Sequence, residues 1–186
     1  MVARHYFPNA KIISFEPLPI PAALFRKIFS TDDAVVLHDV AIGPKSEQCT
    51  MHVSGRDDSS SLLPISSLQE KIFPGTSEVA TVNVQVAPLD AFIVDSDIIA
   101  PAMLKLDVQG FELDALKGCE SLLYKLEWIY CECSFVELYS GQRLASDVIK
   151  WLEGKGFSIA GISNVSYDRN GVSIQADFLF EKNIDK

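Results

Sequence analysis

Residues 104–118 have the sequence LKLDVQGFELDALKG. The apolar run through Val108 predicts a buried strand, and Gly110 then allows a sharp turn. From Phe111 the apolar residues follow a helical spacing, so a helix is expected to begin there. Asp107 can cap this helix, and Glu112 lies in its first turn, where the helix dipole favours negative charge. Structural roles therefore explain both acids about as well as functional roles do.

The same alternation of strands and helices extends along the chain in both directions. Strands are predicted at 11–15, 34–41, 50–53, 82–86, 102–108, 128–133, 157–160 and 172–180, and helices at 22–29 and 145–153, with a helical turn at 89–94. Asn170-Gly171 indicates a closing antiparallel hairpin. This order predicts one α/β domain over residues 1–186, with a mostly parallel, doubly wound sheet.

Composition and charge exclude several classes of protein. The 186 residues carry a net charge of −9 and lack a basic run, so we expect no nucleic-acid partner. No apolar run is long enough for a membrane span, and residues 1–8 do not resemble a signal peptide, so a cytoplasmic protein is expected. The spacing of the four cysteines predicts buried free thiols and no metal site.

Acids that directly follow apolar strands are the candidates for a functional site. They are Glu16, Asp39, Asp107 and Glu132. Ligands of open α/β sheets bind at the carboxyl ends of the strands, where a carboxylate can accept both hydroxyls of a ribose. Any single acid is more often a helix cap or a surface charge, but four at successive strand ends are harder to dismiss. His38 and His52 are further candidate bases, although a structural role is the more common interpretation of each.

Residues 104–118 resemble the hallmark segment of the FkbM-type methyltransferase family. Other segments are similar to family motifs in the same order: 14–17 (SFEP), 40–43 (VAIG), 60–62 (SSL), 89–90 (LD), 132–139 (ECSFVELY) and 175–180 (QADFLF). The resemblance implies a class I methyltransferase fold, which is a Rossmann-like doubly wound sheet. It also implies an enzyme that transfers a methyl group from S-adenosylmethionine, commonly to a hydroxyl of a sugar or of another small-molecule or glycan acceptor.

The resemblance also assigns cofactor-binding residues. It implies that Glu16, next to Pro17, binds the ribose of S-adenosylmethionine. Asp39, with residues 40–41 (Val40 and Ala41), would lie beside the adenine. Asp107 would lie near the methionine end of the cofactor.

For the acceptor side, the resemblance implies two candidate bases and three binding residues. Asp107 or Glu132 would take the proton of the acceptor hydroxyl, and the residues alone do not choose between them. Gln109, Glu112 and Tyr139 would contact the acceptor.

The family's glycine-rich turn has no counterpart in this sequence. It should precede Glu16, yet the first glycine of the chain is Gly43. We therefore expect a domain that is N-terminally truncated relative to the family and lacks the first strand. Such a chain should bind S-adenosylmethionine weakly or not at all, and low-micromolar binding in calorimetry would contradict this. The exposed sheet edge would favour self-association.

Two other functions remain open at this stage. The chain could be a non-catalytic methyltransferase-like remnant that acts as a binding or scaffolding module. A nicotinamide-dependent dehydrogenase is a weaker alternative, because a ribose-binding acid after the second strand is common to both enzyme classes.

Overall fold

The computed structural model describes residues 2–56 and 58–183 and shows an α/β protein. Its elements are α1 (Val2–Tyr6), β1 (Ile12–Phe15), α2 (Pro19–Ile28), β2 (Val35–His38), β3 (Ala41–Ile42), β4 (Glu47–Ser54), α3 (Ser67–Ile72), β5 (Glu78–Ala87), β6 (Met103–Leu106), α4 (Glu112–Gly118), β7 (Trp128–Ser134), α5 (Ala145–Glu153), β8 (Phe157–Tyr167) and β9 (Ser173–Lys182). Short 3₁₀ turns lie at Leu89–Ala91, Asp95–Asp97 and Glu120–Lys125.

The strands form mixed sheets. Strands β1 and β2 are a parallel pair, and β3, β5 and β4 form a second sheet in that order. The third sheet has the order β6-β7-β9-β8, in which β6 and β7 are parallel and the other two pairings are antiparallel. Among the described residues three of the six strand pairings are antiparallel, so the prediction of a mostly parallel sheet is wrong. In the same part of the chain the three sheets are not joined by strand pairing, so a single doubly wound sheet stays a proposal.

The main core lies between the third sheet and the helices α4 and α5. Alternate residues of β7 and β9 point into it, among them Ile129 and Phe178, which are buried against Leu116 and Leu152. Each such side chain stabilises the fold by roughly 1.5–3 kcal/mol relative to an exposed position. This core fixes the carboxyl ends of β6 and β7, where two of the candidate acids lie.

Most predicted elements are present, with shifted boundaries. The helix predicted at 145–153 is confirmed. Helix α2 begins at Pro19 and not at residue 22, because prolines in a first turn lose no helical hydrogen bond. The strand predicted at 34–41 is divided between β2 and β3, which belong to different sheets. Strand β8 continues to Tyr167, and the sequence did not predict α3.

Two glycines bring α4 against the segment that follows β3. A Cβ atom on Gly118 would lie 2.4 Å from the carbonyl oxygen of Gly43 and 2.6 Å from its carbonyl carbon. The contact is between backbones, so no side chain could move aside to relieve it. This close approach requires glycine at position 118.

The predicted buried thiols are confirmed for three cysteines. Cys119, Cys131 and Cys133 are buried and free, whereas Cys49 is partly exposed and free. The Sγ atoms of Cys131 and Cys133 lie 3.7 Å apart on the core face of β7.

Within residues 2–56 and 58–183, no helix is long and apolar enough to cross a lipid bilayer.

Candidate active site

Glu16 and Asp39 follow β1 and β2 and lie side by side. The two strands are parallel with Phe15 opposite His38, and the backbone N–H of Glu16 donates to the carbonyl of His38 at 3.0 Å. Glu16 Oε1 accepts a hydrogen bond from the Leu18 N–H at 2.8 Å. Burial raises the pKa of Glu16, the Leu18 N–H lowers it, and the nearby Asp39 charge raises it. The structure thus brings the first two predicted acids together.

The Glu16 carboxylate has an oxygen that can bind a hydroxyl group, such as those of a ribose. Among the described residues, no hydrogen bond is made to Glu16 Oε2, so one carboxylate oxygen can accept from a hydroxyl. Asp39 Oδ1 lies 2.6 Å from Arg26 Nη2, but both side chains are about half exposed, so this ion pair contributes little to stability. Val40 and Ala41 are buried, so neither presents its side chain to a ligand at the surface.

Asp107 and Glu132 form a second group at the carboxyl-terminal part of the neighbouring strands β6 and β7. Gln109 Nε2 donates to Asp107 Oδ1 at 2.8 Å and to Glu132 Oε2 at 3.1 Å. Gln175 Nε2 donates to the other oxygen of Glu132 at 2.9 Å. Each oxygen of Glu132 therefore accepts one amide hydrogen and keeps a lone pair for a further partner.

The environment of Glu132 suits a general base at neutral pH. Burial, with smaller contributions from the charges of Asp107 and Asp177, raises the pKa of Glu132 to about 7, although the Gln109 hydrogen bond and the Lys105 charge lower it. A carboxyl group that titrates near neutrality has the protonation balance expected of a catalytic acid or base. Asp107 differs from it, because Asp107 is half exposed and its Oδ2 lies 3.0 Å from Lys105 Nζ.

Glu112 is the most deeply buried acid of the site. It is only 2% exposed, and its Oε1 accepts a hydrogen bond from the Gly110 N–H at 2.9 Å. Burial raises the pKa of Glu112 to about 7. The prediction that Asp107 caps α4 is wrong, because Phe111 is the capping residue and makes no side-chain cap. Asp107 instead binds Lys105 and Gln109.

Tyr139 lies behind Gln109. Its side chain is 1% exposed, and its hydroxyl lies 2.8 Å from Gln109 Oε1 and 3.1 Å from the carbonyl oxygen of Ser59. Gln69 Nε2 donates to the same hydroxyl at 3.3 Å. Burial raises the pKa of Tyr139, so the hydroxyl stays protonated and can donate. Tyr139 thus contacts the site through Gln109, and Glu112 contacts it through the backbone at Gly110. Direct contact of either residue with the methyl acceptor stays a prediction.

The two candidate histidines have structural partners elsewhere. His38 stacks on Phe15 and packs against Phe92, with ring centroids 5.1 Å apart in both cases. His52 Nδ1 lies 2.6 Å from Glu78 Oε2 across β4 and β5. Within the part of the chain that the structure describes, neither histidine is hydrogen-bonded to Asp107 or Glu132.

Several polar residues of the site were not found from the sequence. Gln175 and Asp177 lie on the same face of β9, opposite Ser134 and Glu132 of β7. Their alternation within a predicted strand was the signal available, since residues two apart share a face. Ser61 lies in the segment 60–62 that resembles a family motif, but its hydrogen bond to the Gln109 carbonyl, at 2.6 Å, joins residues 48 positions apart and could not be inferred from local sequence.

The four predicted acids are thus arranged as two pairs on two separate sheets. No hydrogen bond or ion pair joins the pairs directly within residues 2–56 and 58–183. The side chain of Phe15, directly before Glu16, packs against the main core that carries β6 and β7. This contact connects the two parts of the candidate site.

Comparison with known proteins identifies the family. Residues 1–159 match the family model described as the methyltransferase FkbM domain. The chain belongs to this family. The FkbM domain is also similar to 2-O-methyltransferase NoeI of Sinorhizobium fredii (strain NBRC 101917 / NGR234), with 29% identity over 141 residues. The matched region covers 73% of this chain and 58% of NoeI, so the chain spans less than two-thirds of that relative's length.

Among solved structures, the FkbM domain is similar to the crystal structure of methyltransferase FkbM from Methylobacillus flagellatus KT. The identity is 17%, the TM-score is 0.49, and the match covers 90% of this chain and 36% of that one. A likeness of this degree adds nothing to the family assignment.

Proposed function

We propose that this FkbM domain belongs to an S-adenosylmethionine-dependent methyltransferase that methylates a hydroxyl group of a sugar or of another small-molecule or glycan acceptor. Family membership supports methyl transfer, and the name of NoeI supports an oxygen acceptor. The observation that carries the proposal is Glu132, a half-buried carboxylate held by two amide donors, with a pKa of about 7. We further propose that the domain has the doubly wound class I methyltransferase arrangement.

The residues at the ends of β1 and β2 would hold the cofactor. S-adenosylmethionine, when bound, supplies a methyl group on a positively charged sulfur. Glu16 would accept hydrogen bonds from the ribose hydroxyls, with Pro17 beside it. Asp39 and residues 40–41 would hold the adenine. Asp107, at the end of β6, is proposed for the methionine end, where its negative charge complements the sulfonium.

Glu132 is proposed as the general base and Asp107 as its alternative. Glu132 would accept the proton of the acceptor hydroxyl as its oxygen takes the methyl group that S-adenosylmethionine would supply. Glu132 is favoured because half of it is ionised near neutrality, so it can both accept and later release a proton. Asp107 is already paired with Lys105. The rest of the rate enhancement comes from alignment of donor and acceptor.

Substitution of Glu132 by glutamine tests this proposal. The assay is transfer of a labelled methyl group from S-adenosylmethionine to a panel of monosaccharides and oligosaccharides. It uses the protein as encoded, including any residues on either side of this chain. We expect Glu132→Gln to lower kcat by about 10²–10⁴-fold, with cofactor affinity unchanged within about twofold. The matched control is Glu181→Gln, an exposed carboxylate on β9, which should keep wild-type activity.

Three results would count against the proposal. Activity of Glu132→Gln within about tenfold of wild type would refute the base role, since removal of a general base costs more than that. Cofactor binding without transfer to any hydroxyl on the panel would refute a sugar acceptor. Failure to bind S-adenosylmethionine would refute the enzymatic function and support the non-catalytic module.

A further inference from the structure

The side-chain amide of Gln109 joins the two carboxylates of the candidate site. Its Nε2 lies 2.8 Å from Asp107 Oδ1 and 3.1 Å from Glu132 Oε2. A primary amide has two N–H groups, and each points at one of these acids. Since β6 and β7 are parallel neighbours, the amide spans the gap between two adjacent strand ends.

Gln109 is itself held in an unusual backbone conformation. Its φ angle is +51°, which a residue other than glycine rarely adopts. The Ser61 hydroxyl donates to its carbonyl at 2.6 Å, and the Tyr139 hydroxyl donates to its Oε1 at 2.8 Å. A conformation of this kind persists only where the surroundings fix it, and it concentrates at functional sites.

We infer that Gln109 is a positioning residue, which holds the carboxylate of Glu132 at a fixed distance from Asp107 for methyl transfer. This inference rests on the proposed function, because it assigns Gln109 a role in the same reaction. Both N–H groups of the amide are used within the protein, and its oxygen accepts from Tyr139. Gln109 therefore has no hydrogen to donate to an acceptor, and its role is exerted through Glu132.

The charges around Glu132 explain why a neutral donor such as Gln109 is needed to position it. The charged groups that act on it are Lys105 from β6, Asp107 directly after β6, Asp177 from β9 and Glu112 from α4, and the titratable hydroxyl of Tyr139 lies behind Gln109. Three of these four are acids, so they repel an ionised Glu132. A neutral amide can donate to two carboxylates at once without adding charge. The hydrogen bond from Gln109 lowers the pKa of Glu132, against burial and the neighbouring acids, which raise it.

The direct test is titration of Glu132 in the protein without substrate. Glutamate side chains are labelled with ¹³C at the carboxyl carbon, and the Glu132 signal is identified by its absence from Glu132→Gln. We expect Gln109→Met, which has a similar length but no amide, to raise the midpoint by about one pH unit. The control is Gln48→Met on the exposed side of β4, which should leave the midpoint unchanged.

The same upward shift should appear in the acid limb of the kcat/KM profile, which a purely structural role would not move. An unchanged Glu132 midpoint in folded Gln109→Met would overturn the inference. If Gln109→Met does not fold, Tyr139→Phe decides, because it removes the hydroxyl that donates to Gln109 Oε1 and leaves the Gln109 side chain in place; that hydroxyl also contacts Ser59 and Gln69. A smaller upward shift then supports the inference, and no shift overturns it.

The titration does not depend on turnover, so the two proposals can fail separately. A shifted midpoint in a protein that transfers no methyl group would refute the proposed function and leave the holding role of Gln109 intact. An active wild type with an unshifted midpoint in Gln109→Met would refute only the inference.

Discussion

Glutamine at position 112 would keep the oxygen that accepts from the Gly110 N–H but could not ionise. Glu112 is 2% exposed, and burial raises its pKa to about 7 from an ordinary value of 4.5. In the unfolded chain this carboxyl titrates near its ordinary value. Between the two values the folded protein binds more protons than the unfolded chain, so the free energy of unfolding falls as pH rises through this window.

The magnitude follows from the two pKa values of Glu112. A difference of one pH unit corresponds to about 1.36 kcal/mol, so the full loss from Glu112 is about 3.4 kcal/mol. About 2.5 kcal/mol of this falls between pH 5 and pH 8, because titration in the unfolded state has already begun at pH 5. The Glu112→Gln variant lacks this loss. Between those two pH values it should therefore lose about 2.5 kcal/mol less stability than the wild type.

Urea denaturation at pH 5 and pH 8 measures the difference. Unfolding can be followed by the fluorescence of Trp128 and Trp151. Glu153→Gln, an exposed carboxylate at the end of α5, is the matched control and should show the wild-type dependence on pH. Equal losses of stability in wild type and Glu112→Gln would refute the reasoning, because Glu112 would then be as well solvated in the folded protein as in the unfolded chain.

Two further substitutions test the packing around the site. Gly118→Ala should lower the free energy of unfolding by about 1–3 kcal/mol, because its Cβ would overlap the Gly43 backbone. Gly161→Ala is the control, because its Cβ would lie 3.9 Å from its nearest neighbour. If Gly118→Ala were as stable as Gly161→Ala, the close contact between Gly118 and Gly43 would be contradicted. Ser61→Ala should cost about 1–3 kcal/mol in the same assay, since two backbone groups lose their partner. If Ser61→Ala lowered the free energy of unfolding no more than Ser67→Ala, a substitution at an exposed serine, the structural role of the Ser61 hydroxyl would be contradicted.

The order of strands and helices was predictable because each follows from local patterns of apolar residues. The helix at 145–153 and the strand ending at Phe15 need only the neighbouring sequence for their assignment. The division of residues 34–41 between two sheets was not predictable in this way. It depends on pairing of Ala41 and Ile42 with β5, which is far along the chain.

The candidate site was predicted in part for the same reason. Asp107 and Glu132 could be placed together, since acids at the ends of neighbouring parallel strands meet at one edge. The hydrogen bonds that hold these two acids could not be predicted. Glu132 accepts from Gln175, 43 positions later, and Gln109 is fixed from Ser61, 48 positions earlier. Such bonds depend on the assembled fold.

The three buried thiols, those of Cys119, Cys131 and Cys133, are protected from thiol-reactive reagents while the protein stays folded. Burial raises the pKa of Cys119 to about 12, and the pKa of Cys131 is raised by the neighbouring Cys133 thiol and by burial. Only a thiolate attacks such reagents, so the thiols of Cys119 and Cys131 are unreactive in the native state. Cys49 lies on a different sheet and is partly exposed. Burial and the charge of Glu47 also raise the pKa of Cys49, but reagents can reach this thiol in the folded protein. The other three thiols become accessible only when the core around α4 and β7 opens.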